Sequence, residues 1–138
     1  MARRHASVTT VGFPYLVAEV NGLVAGYAYA APYRTRAAYR YTVEDSVYIH
    51  HEYSGRGIGS ALLPALIEAC EAAGWRQMVA VIGDSANHAS IRLHEKFGFA
   101  RAGLLTAAGW KFERWVDSVL MQRALGTGDA APPQPVKP

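Results

Sequence analysis

Alternation of apolar and polar residues dominates the first part of the chain and predicts strands. Residues 15–19 and 23–30 form two such runs, and the Asn21-Gly22 pair between them favours a β-hairpin. A third alternating run covers residues 42–50, whereas residues 1–12 show no clear periodicity. This pattern predicts three consecutive strands in a largely antiparallel arrangement.

Helical periodicity is found in two later segments. Residues 58–73 place apolar side chains at helical spacing, and Gly74 follows where a left-handed glycine commonly ends a helix. Pro64 lies inside this segment. Because an interior proline costs about 3 kcal/mol, we expect it to kink the helix or delay its start. Asn87 can cap a second helix that runs to residue 97 and ends at Gly98.

The remaining apolar runs predict strands. Residues 78–82 are short and β-branched, which is typical of a central strand buried on both faces, and residues 100–106 and 115–123 predict two more strands. The order β-β-β-loop-α-β-α-β-β predicts a mixed α/β (α+β) fold in a single domain over residues 1–125. Residues 126–138 are rich in proline and glycine and predict a flexible tail.

Composition narrows the class of protein. Of the 138 residues, 51% are apolar, which is enough for a buried core, but no apolar run approaches the ~20 residues of a membrane span. A single cysteine, Cys70, allows no internal disulfide, and the first residues carry no secretory signal, so we expect a cytoplasmic protein. A net charge of +3 with scattered arginines does not predict nucleic-acid binding. We expect no metal site.

The segment YSGRGIGS, residues 53–60, carries the strongest chemical signal. Its glycines are spaced wrongly for a dinucleotide loop, and it lacks the lysine of a nucleoside-triphosphate loop. It joins a predicted strand to the N-terminus of a predicted helix, where unpaired N–H groups and the helix dipole favour an anion. Arg56 can add a charge-assisted hydrogen bond. The alternative is an ordinary strand-to-helix turn whose glycines serve geometry alone.

The loop in this setting resembles the acyl-CoA signature of the GNAT N-acetyltransferase superfamily, Gln/Arg-x-x-Gly-x-Gly/Ala. Residues 54–59, SGRGIG, match it except that Ser54 replaces the usual glutamine or arginine. A second segment, residues 87–99, is similar to a later motif of the family. From about residue 13 to residue 125 the amino-acid sequence resembles that of the phosphinothricin and methionine-sulfone N-acetyltransferase branch. The resemblance implies the GNAT fold.

The resemblance implies acetyl-CoA as co-substrate, direct transfer to a small amine acceptor in a ternary complex, and a homodimer. Backbone amides of the loop would bind the pyrophosphate of coenzyme A, and the strand before it would pair with the pantetheine amides, as a peptide adds to a sheet edge. The implied cofactor residues are Val47, Tyr48, Ile49, Gly55, Arg56, Gly57, Ile58, Gly59, Ser60 and Asn87. Asn87 can equally be only a helix cap.

Two residues resemble the catalytic groups of the family. Glu44, near the start of the third strand, would act as general base, directly or through a water. Asp45 lies on the opposite face of that strand and is the less favoured base. His94 stands where the family places the acid that protonates the leaving thiolate; it could also assist the base. Glu44 could instead be a solvated carboxylate, and His94 a packed polar residue.

Arg34, Arg36 and Tyr39 resemble the acceptor-binding residues of the branch. Two arginines in one loop suit a carboxylate or phosphinate, which arginine binds through two parallel hydrogen bonds; the alternative is a pair of solvated loop residues. The family also has a longer segment before residue 13, with a strand and two helices, so we expect those elements to be missing or reduced. The competing functions are a non-catalytic acyl-CoA-binding module and a protein N-acetyltransferase.

Overall fold

The computed structural model describes residues 3–8 and 13–133, the side chains only from residue 13 onwards. The strands are β1 (Arg3–Val8), β2 (Pro14–Val20), β3 (Leu23–Pro32), β4 (Thr42–Ile49), β5 (Gln77–Ile82), β6 (Ala100–Lys111) and β7 (Arg114–Ala124). The α-helices are α1 (Ile58–Ala73) and α2 (His88–Lys96), and short 3₁₀ turns cover Ala37–Tyr39 and His51–Tyr53. The predicted order of elements is thereby confirmed, with one strand added at its start.

The strands form one seven-stranded sheet in the order β1-β2-β3-β4-β5-β7-β6. All neighbours are antiparallel except β4 and β5, which are parallel. This arrangement confirms the predicted mixed, mostly antiparallel sheet. It corrects the reading of residues 1–12, because β1 pairs along the whole of its length with β2. β1 is an edge strand, and charged residues such as Arg3 and Arg4, which are common on edge strands, obscure an apolar pattern.

The β2–β3 hairpin turns at the residues that the sequence indicated. Asn21 and Gly22 both have positive φ, 52° and 81°, as a two-residue turn of the I′ type requires. A glycine at the second position relieves the cost of that backbone conformation. The turn pairs Val20 with Leu23, and a bulge between Ala18 and Glu19 then shifts the register, so that Tyr15 lies opposite Tyr29.

Both helices pack on the same face of the sheet. The side chains of α1 that face the sheet are apolar and fully buried, as are their counterparts on β4 and β5: Leu62, Leu63, Leu66, Val43 and Met78. On the opposite face the rings of Tyr15, Tyr27, Tyr29 and Tyr48 form a continuous stack, with centroids 5.2–6.4 Å apart. We call this the tyrosine face.

Three details of the predicted elements are corrected. The helix α1 begins at Ile58 and continues through Pro64, so the proline does not delay its start. β5 is central but is buried on one face only, since its Val81 is exposed. Val81 is exposed because both α-helices of the described residues cover the opposite face of the sheet. β6 and β7 are longer than predicted and meet at a tight turn in which Phe112 and Glu113 have positive φ.

Residues 126–133 lie against the start of β5. The guanidinium of Arg76 donates hydrogen bonds to the carbonyls of Gly128, Ala131 and Pro132 at 2.6–3.3 Å. Residues 134–138 lie outside the described residues, and the predicted tail and domain boundary stay predictions. Neither helix in the described part of the chain is long and apolar enough to cross a membrane.

Candidate active site

The strands β4 and β5 pair over only half of the length of β4. Their parallel register runs from Thr42 opposite Gln77 to Asp45 opposite Ala80 and ends there. Beyond Asp45 the strands diverge, and a cavity of about 210 Å³ opens between them. The part of β4 that follows therefore has backbone groups facing a cleft instead of a neighbouring strand. An extended, amide-containing ligand can complete such an edge.

The three glycines of the loop after β4 are needed for two different reasons. Gly55 and Gly57 have φ of 77° and 79°, a conformation that favours glycine, and Gly57 is the N-cap of α1. Gly59 has no such backbone, but a Cβ there would lie 2.9 Å from Leu93 Cδ2 of α2. Gly59 thus allows α2 to approach the first turn of α1, and the loop amides and the N-terminus of α1 face the same cavity.

That cavity has a volume of about 600 Å³ and lies between the loop, α2 and the second half of β4. It is lined by nine of the ten predicted cofactor residues: Val47, Tyr48, Ile49, Gly55, Gly57, Ile58, Gly59, Ser60 and Asn87. The tenth, Arg56, does not line it; its guanidinium lies over the ring of Tyr53, 5.2 Å from the centroid. The backbone of the glycine loop, and not the side chain of Arg56, therefore faces this cavity.

Asn87 caps α2 and also lines the cavities beside β4. Its side-chain oxygen accepts a hydrogen bond from Ser90 N at 3.2 Å, which caps α2. The residue also lines both cavities. It therefore stands at the point where the cleft between the strands joins the larger cavity.

His94 and Asp45 form a buried pair across the cleft. His94 Nε2 lies 3.0 Å and 3.2 Å from the two carboxylate oxygens of Asp45, and His94 Nδ1 lies 2.8 Å from the carbonyl oxygen of Ser90. The two residues are only 2% and 6% exposed. Burial lowers the pKa of His94, but hydrogen bonding and attraction to Asp45 outweigh it, so its pKa is raised above the ordinary value.

Glu44 points to the other face of the sheet, the tyrosine face, with Ser46 and Tyr48. Glu44 is half-buried, and it is paired with Ala31 on β3 and with Val79 on β5. Burial, and then the charge of Asp45, raise the pKa of Glu44, while Arg34 opposes the shift. A carboxylate with a raised pKa is better matched to accept a proton near neutral pH.

The predicted acceptor residues lie on the loop between β3 and β4. The guanidinium of Arg34 lies 4.1 Å from the centroid of the Tyr33 ring, and Tyr39 contacts the same ring edge to face at 6.2 Å. Tyr33 thus links two of the three predicted residues. Arg36 is the N-cap residue of the 3₁₀ turn, but its side chain makes no capping hydrogen bond. Only Arg34 of the two arginines acts electrostatically on Glu44.

Comparison with known proteins decides the family. The family model described as "Acetyltransferase (GNAT) family" matches residues 4–99. The chain belongs to this family. It is 53% identical over 134 residues to the phosphinothricin N-acetyltransferase of Alcaligenes faecalis, covering 97% of this chain and 68% of that protein. It is 45% identical over 115 residues to the L-methionine sulfoximine/L-methionine sulfone acetyltransferase of Salmonella typhimurium, covering 83% of this chain and 67% of the relative.

A solved GNAT structure gives the same result for the fold. The phosphinothricin acetyltransferase of Sinorhizobium meliloti, in complex with AcCoA, superposes with a TM-score of 0.85 at 51% identity, over 88% of this chain and 66% of that one. The comparisons confirm the predicted family, branch and fold. The chain spans about two thirds of the length of these relatives.

Sequence reasoning missed several residues of this GNAT domain. Arg92 and Lys96 lie one turn apart on α2 and line the larger cavity, and Lys96 Nζ donates to Ser60 Oγ at 3.1 Å. Their spacing of four residues was a signal that both share a helix face. For Asp45, the sequence indicated only that it is the less favoured base. The signal for its real environment was its alternation with Val43, which predicts an inward-facing carboxylate that needs a buried partner.

Proposed function

We propose that this chain catalyses acetyl-CoA-dependent N-acetylation of a small amino acid or analogue of the phosphinothricin, methionine sulfone or methionine sulfoximine type. The observation that carries the proposal is the cleft where β4 and β5 part. It continues into a cavity lined by a helix N-terminus and a glycine loop, and Glu44 stands on the strand that borders it. The names of the similar proteins support the acceptor class.

The residues fit acetyl-CoA, which supplies the acetyl group as a thioester. The loop amides and the N-terminus of α1 would hold its pyrophosphate, and Arg92 and Lys96 supply positive charge on the same cavity. The free edge of β4, over Val47, Tyr48 and Ile49, would bind the pantetheine amides. In that arrangement the reacting carbon would lie where the strands diverge.

Glu44 would remove a proton from the ammonium group of the acceptor, directly or through a water, so that the amine can attack. Its raised pKa suits this task. His94 would return a proton at the other side of the reaction, to the sulfur as the C–S bond breaks. The two groups lie on opposite faces of β4, and the thioester would pass between them through the cleft.

The loop arginines provide the first prediction. Replacing Arg34 and Arg36 together by alanine should raise the KM of the acceptor at least tenfold, because two charge-assisted bonds to its acid group are lost. The KM of acetyl-CoA should stay unchanged, since neither residue lines the cofactor cavity. Steady-state kinetics with each substrate varied in turn gives both values. The matched control is Arg101→Ala, an exposed arginine of β6; a parallel rise in both KM values would contradict the assignment.

The function itself is tested in two steps. Acetyl-CoA should raise the melting temperature, and a panel of amino-acid sulfones, sulfoximines and phosphinates should release CoA thiol. A thermal shift without any thiol release would favour the alternative of a non-catalytic acyl-CoA-binding module. Release with peptide amines alone would favour a protein N-acetyltransferase. Without a thermal shift, the reading of the glycine loop would be wrong.

We further propose that the protein is a cytoplasmic homodimer that associates through the β6–β7 hairpin. β6 is an edge strand along which Leu104 and Leu105 are exposed, and Trp110 and Trp115 are 60% and 64% exposed while packing on each other at 5.0 Å. Several large apolar side chains exposed on one hairpin favour contact with a second copy of the chain. The buried free thiol of Cys70 agrees with a reducing compartment.

A dimer should therefore be seen by light scattering coupled to gel filtration at micromolar concentration. The double variant Leu105→Glu and Trp110→Glu should run as a monomer, because two charges would be buried in the contact. Glu113→Lys at the exposed tip of the hairpin serves as control for an added charge change. A wild-type monomer at these concentrations would contradict the proposal.

A further inference from the structure

The pair formed by Asp45 and His94 is unusual for its burial. Among residues 13–133, these two are the only polar or charged residues that are buried. They lie 49 positions apart in sequence, on β4 and on α2. A buried charge is costly unless it is paired and hydrogen-bonded, so the pair must hold a defined number of protons.

The hydrogen bonds decide where those protons are. The Ser90 carbonyl can only accept, so His94 Nδ1 must donate to it at 2.8 Å and must carry a hydrogen. In a neutral imidazole His94 Nε2 would then present its lone pair to the carboxylate of Asp45 at 3.0 Å. Two acceptors cannot share that distance without a proton. One proton therefore lies between the two groups, and with that proton on nitrogen His94 is the doubly protonated imidazolium.

Among the described residues, the groups around Asp45 and His94 provide no charge that would neutralise either of them. On α1, the titratable residue that feels the charge of Asp45 is Cys70. Burial raises the pKa of its thiol to about 12, so the thiol stays neutral. On β4 the next residue, Glu44, has a pKa raised by burial and by Asp45. The β5 residues on this face are apolar, and Phe99 meets the imidazole edge to face at 4.8 Å. The part of the chain described here gives Asp45 no other ion-pair partner than His94.

Asp45 and His94 both line the cleft between β4 and β5, together with Ser46 and Val47. We propose that Asp45 is a positioning residue that holds His94 as an imidazolium beside this cleft, so that the pair stores the proton which the departing CoA thiolate takes up. This inference rests on the proposed acetyl transfer. It gives Asp45 a role that is distinct from that of its neighbour Glu44, which serves the acceptor on the other face.

The proton step balances with the groups present. As the amine nitrogen bonds to the acetyl carbon, the C–S bond breaks and its electron pair stays on sulfur. The sulfur meets the hydrogen that His94 Nε2 shares with Asp45 from the cleft that both residues line. The Nε2–H bond then breaks and an S–H bond forms, which leaves a neutral imidazole beside the Asp45 carboxylate. That state is unfavourable, so the imidazole regains a proton from solvent before the next turnover, while Glu44 releases to solvent the proton that it took from the acceptor.

The test compares Asp45→Asn with the wild-type protein. An asparagine amide can donate to His94 Nε2 and so stabilises the neutral ring. NMR of the imidazole, assigned with His94→Gln, should show wild-type His94 titrating above the ~6.5 of a free histidine and the Asp45→Asn ring titrating at least about one pH unit lower. The basic limb of the kcat profile should move down by the same amount. The binding constant of acetyl-CoA should change less than about threefold. Asp117→Asn on β7 is the matched control and should move neither quantity.

Each outcome decides the proposal. A wild-type His94 that titrates below free histidine overturns it, even if Asp45→Asn fails to fold. So does a basic limb that stays in place while the imidazole shifts, because the pair would then be structural only. If no acceptor is acetylated, the proposed function is wrong. The proposed role of Asp45 is then also wrong if His94 titrates like a free histidine.

Discussion

Glu44→Gln should lower kcat by about 10²–10⁴-fold, the contribution typical of a positioned general base. Glutamine keeps the shape of the side chain but cannot accept the proton of the acceptor ammonium. The dissociation constant of acetyl-CoA should not change, because Glu44 is not among the residues that line the cofactor cavity. Stopped or continuous thiol-release assays and calorimetric titration of acetyl-CoA provide the two measurements.

The pH dependence of wild-type turnover makes this prediction sharper. A general base works when it is deprotonated, so kcat/KM should fall as the pH drops through the pKa of Glu44. Because burial and Asp45 raise that pKa, the acidic limb should lie above the ordinary range of an exposed glutamate. The limb should vanish in Glu44→Gln. Glu68→Gln, an exposed glutamate of α1, is the control; unchanged turnover in Glu44→Gln would remove Glu44 from the mechanism.

The sequence predicted most of the residues that line the larger cavity because its signals there are local. The loop from Gly55 to Gly59 is one turn of chain, and its neighbours β4 and α1 are fixed by alternation and by helical spacing. Local signals also placed Glu44 and Asp45 on opposite faces of one strand. The left-handed glycine after α1, Gly74, was also predicted locally. The expected effect of Pro64 was the local prediction that failed, because α1 begins at Ile58 and continues through the proline.

The rest depends on which elements meet, and one sequence does not give that. The face on which α1 and α2 lie decides that Val81 is exposed, although its strand looks equally apolar on both sides. The partner of Asp45 comes from a helix 49 residues away. Arg92 and Lys96 reach the larger cavity only because Gly59 lets α2 approach α1. Each of these is a tertiary contact with no counterpart in local pattern.

His94→Leu should lower the free energy of unfolding by about 3–5 kcal/mol, the range found when one partner of a buried ion pair is removed. Leucine fills the space against Phe99 but leaves the Asp45 carboxylate buried without its proton donor. Urea unfolding at pH 6 measures the loss. Adding Asp45→Asn to this variant should restore part of it, because the uncompensated charge is then gone. Glu95→Gln, in an exposed pair with Arg101, should cost at most about 1 kcal/mol.

The pH dependence of that stability has a definite sign. The pKa of His94 is raised in the folded protein, so its contribution to stability is fully present below the unfolded value of ~6.5. It is lost as the pH rises through the higher folded pKa. Wild-type protein should therefore lose part of its unfolding free energy across that window, and His94→Leu should not. If both lose it equally, another group is responsible, and the proton between His94 and Asp45 does not belong to the imidazole.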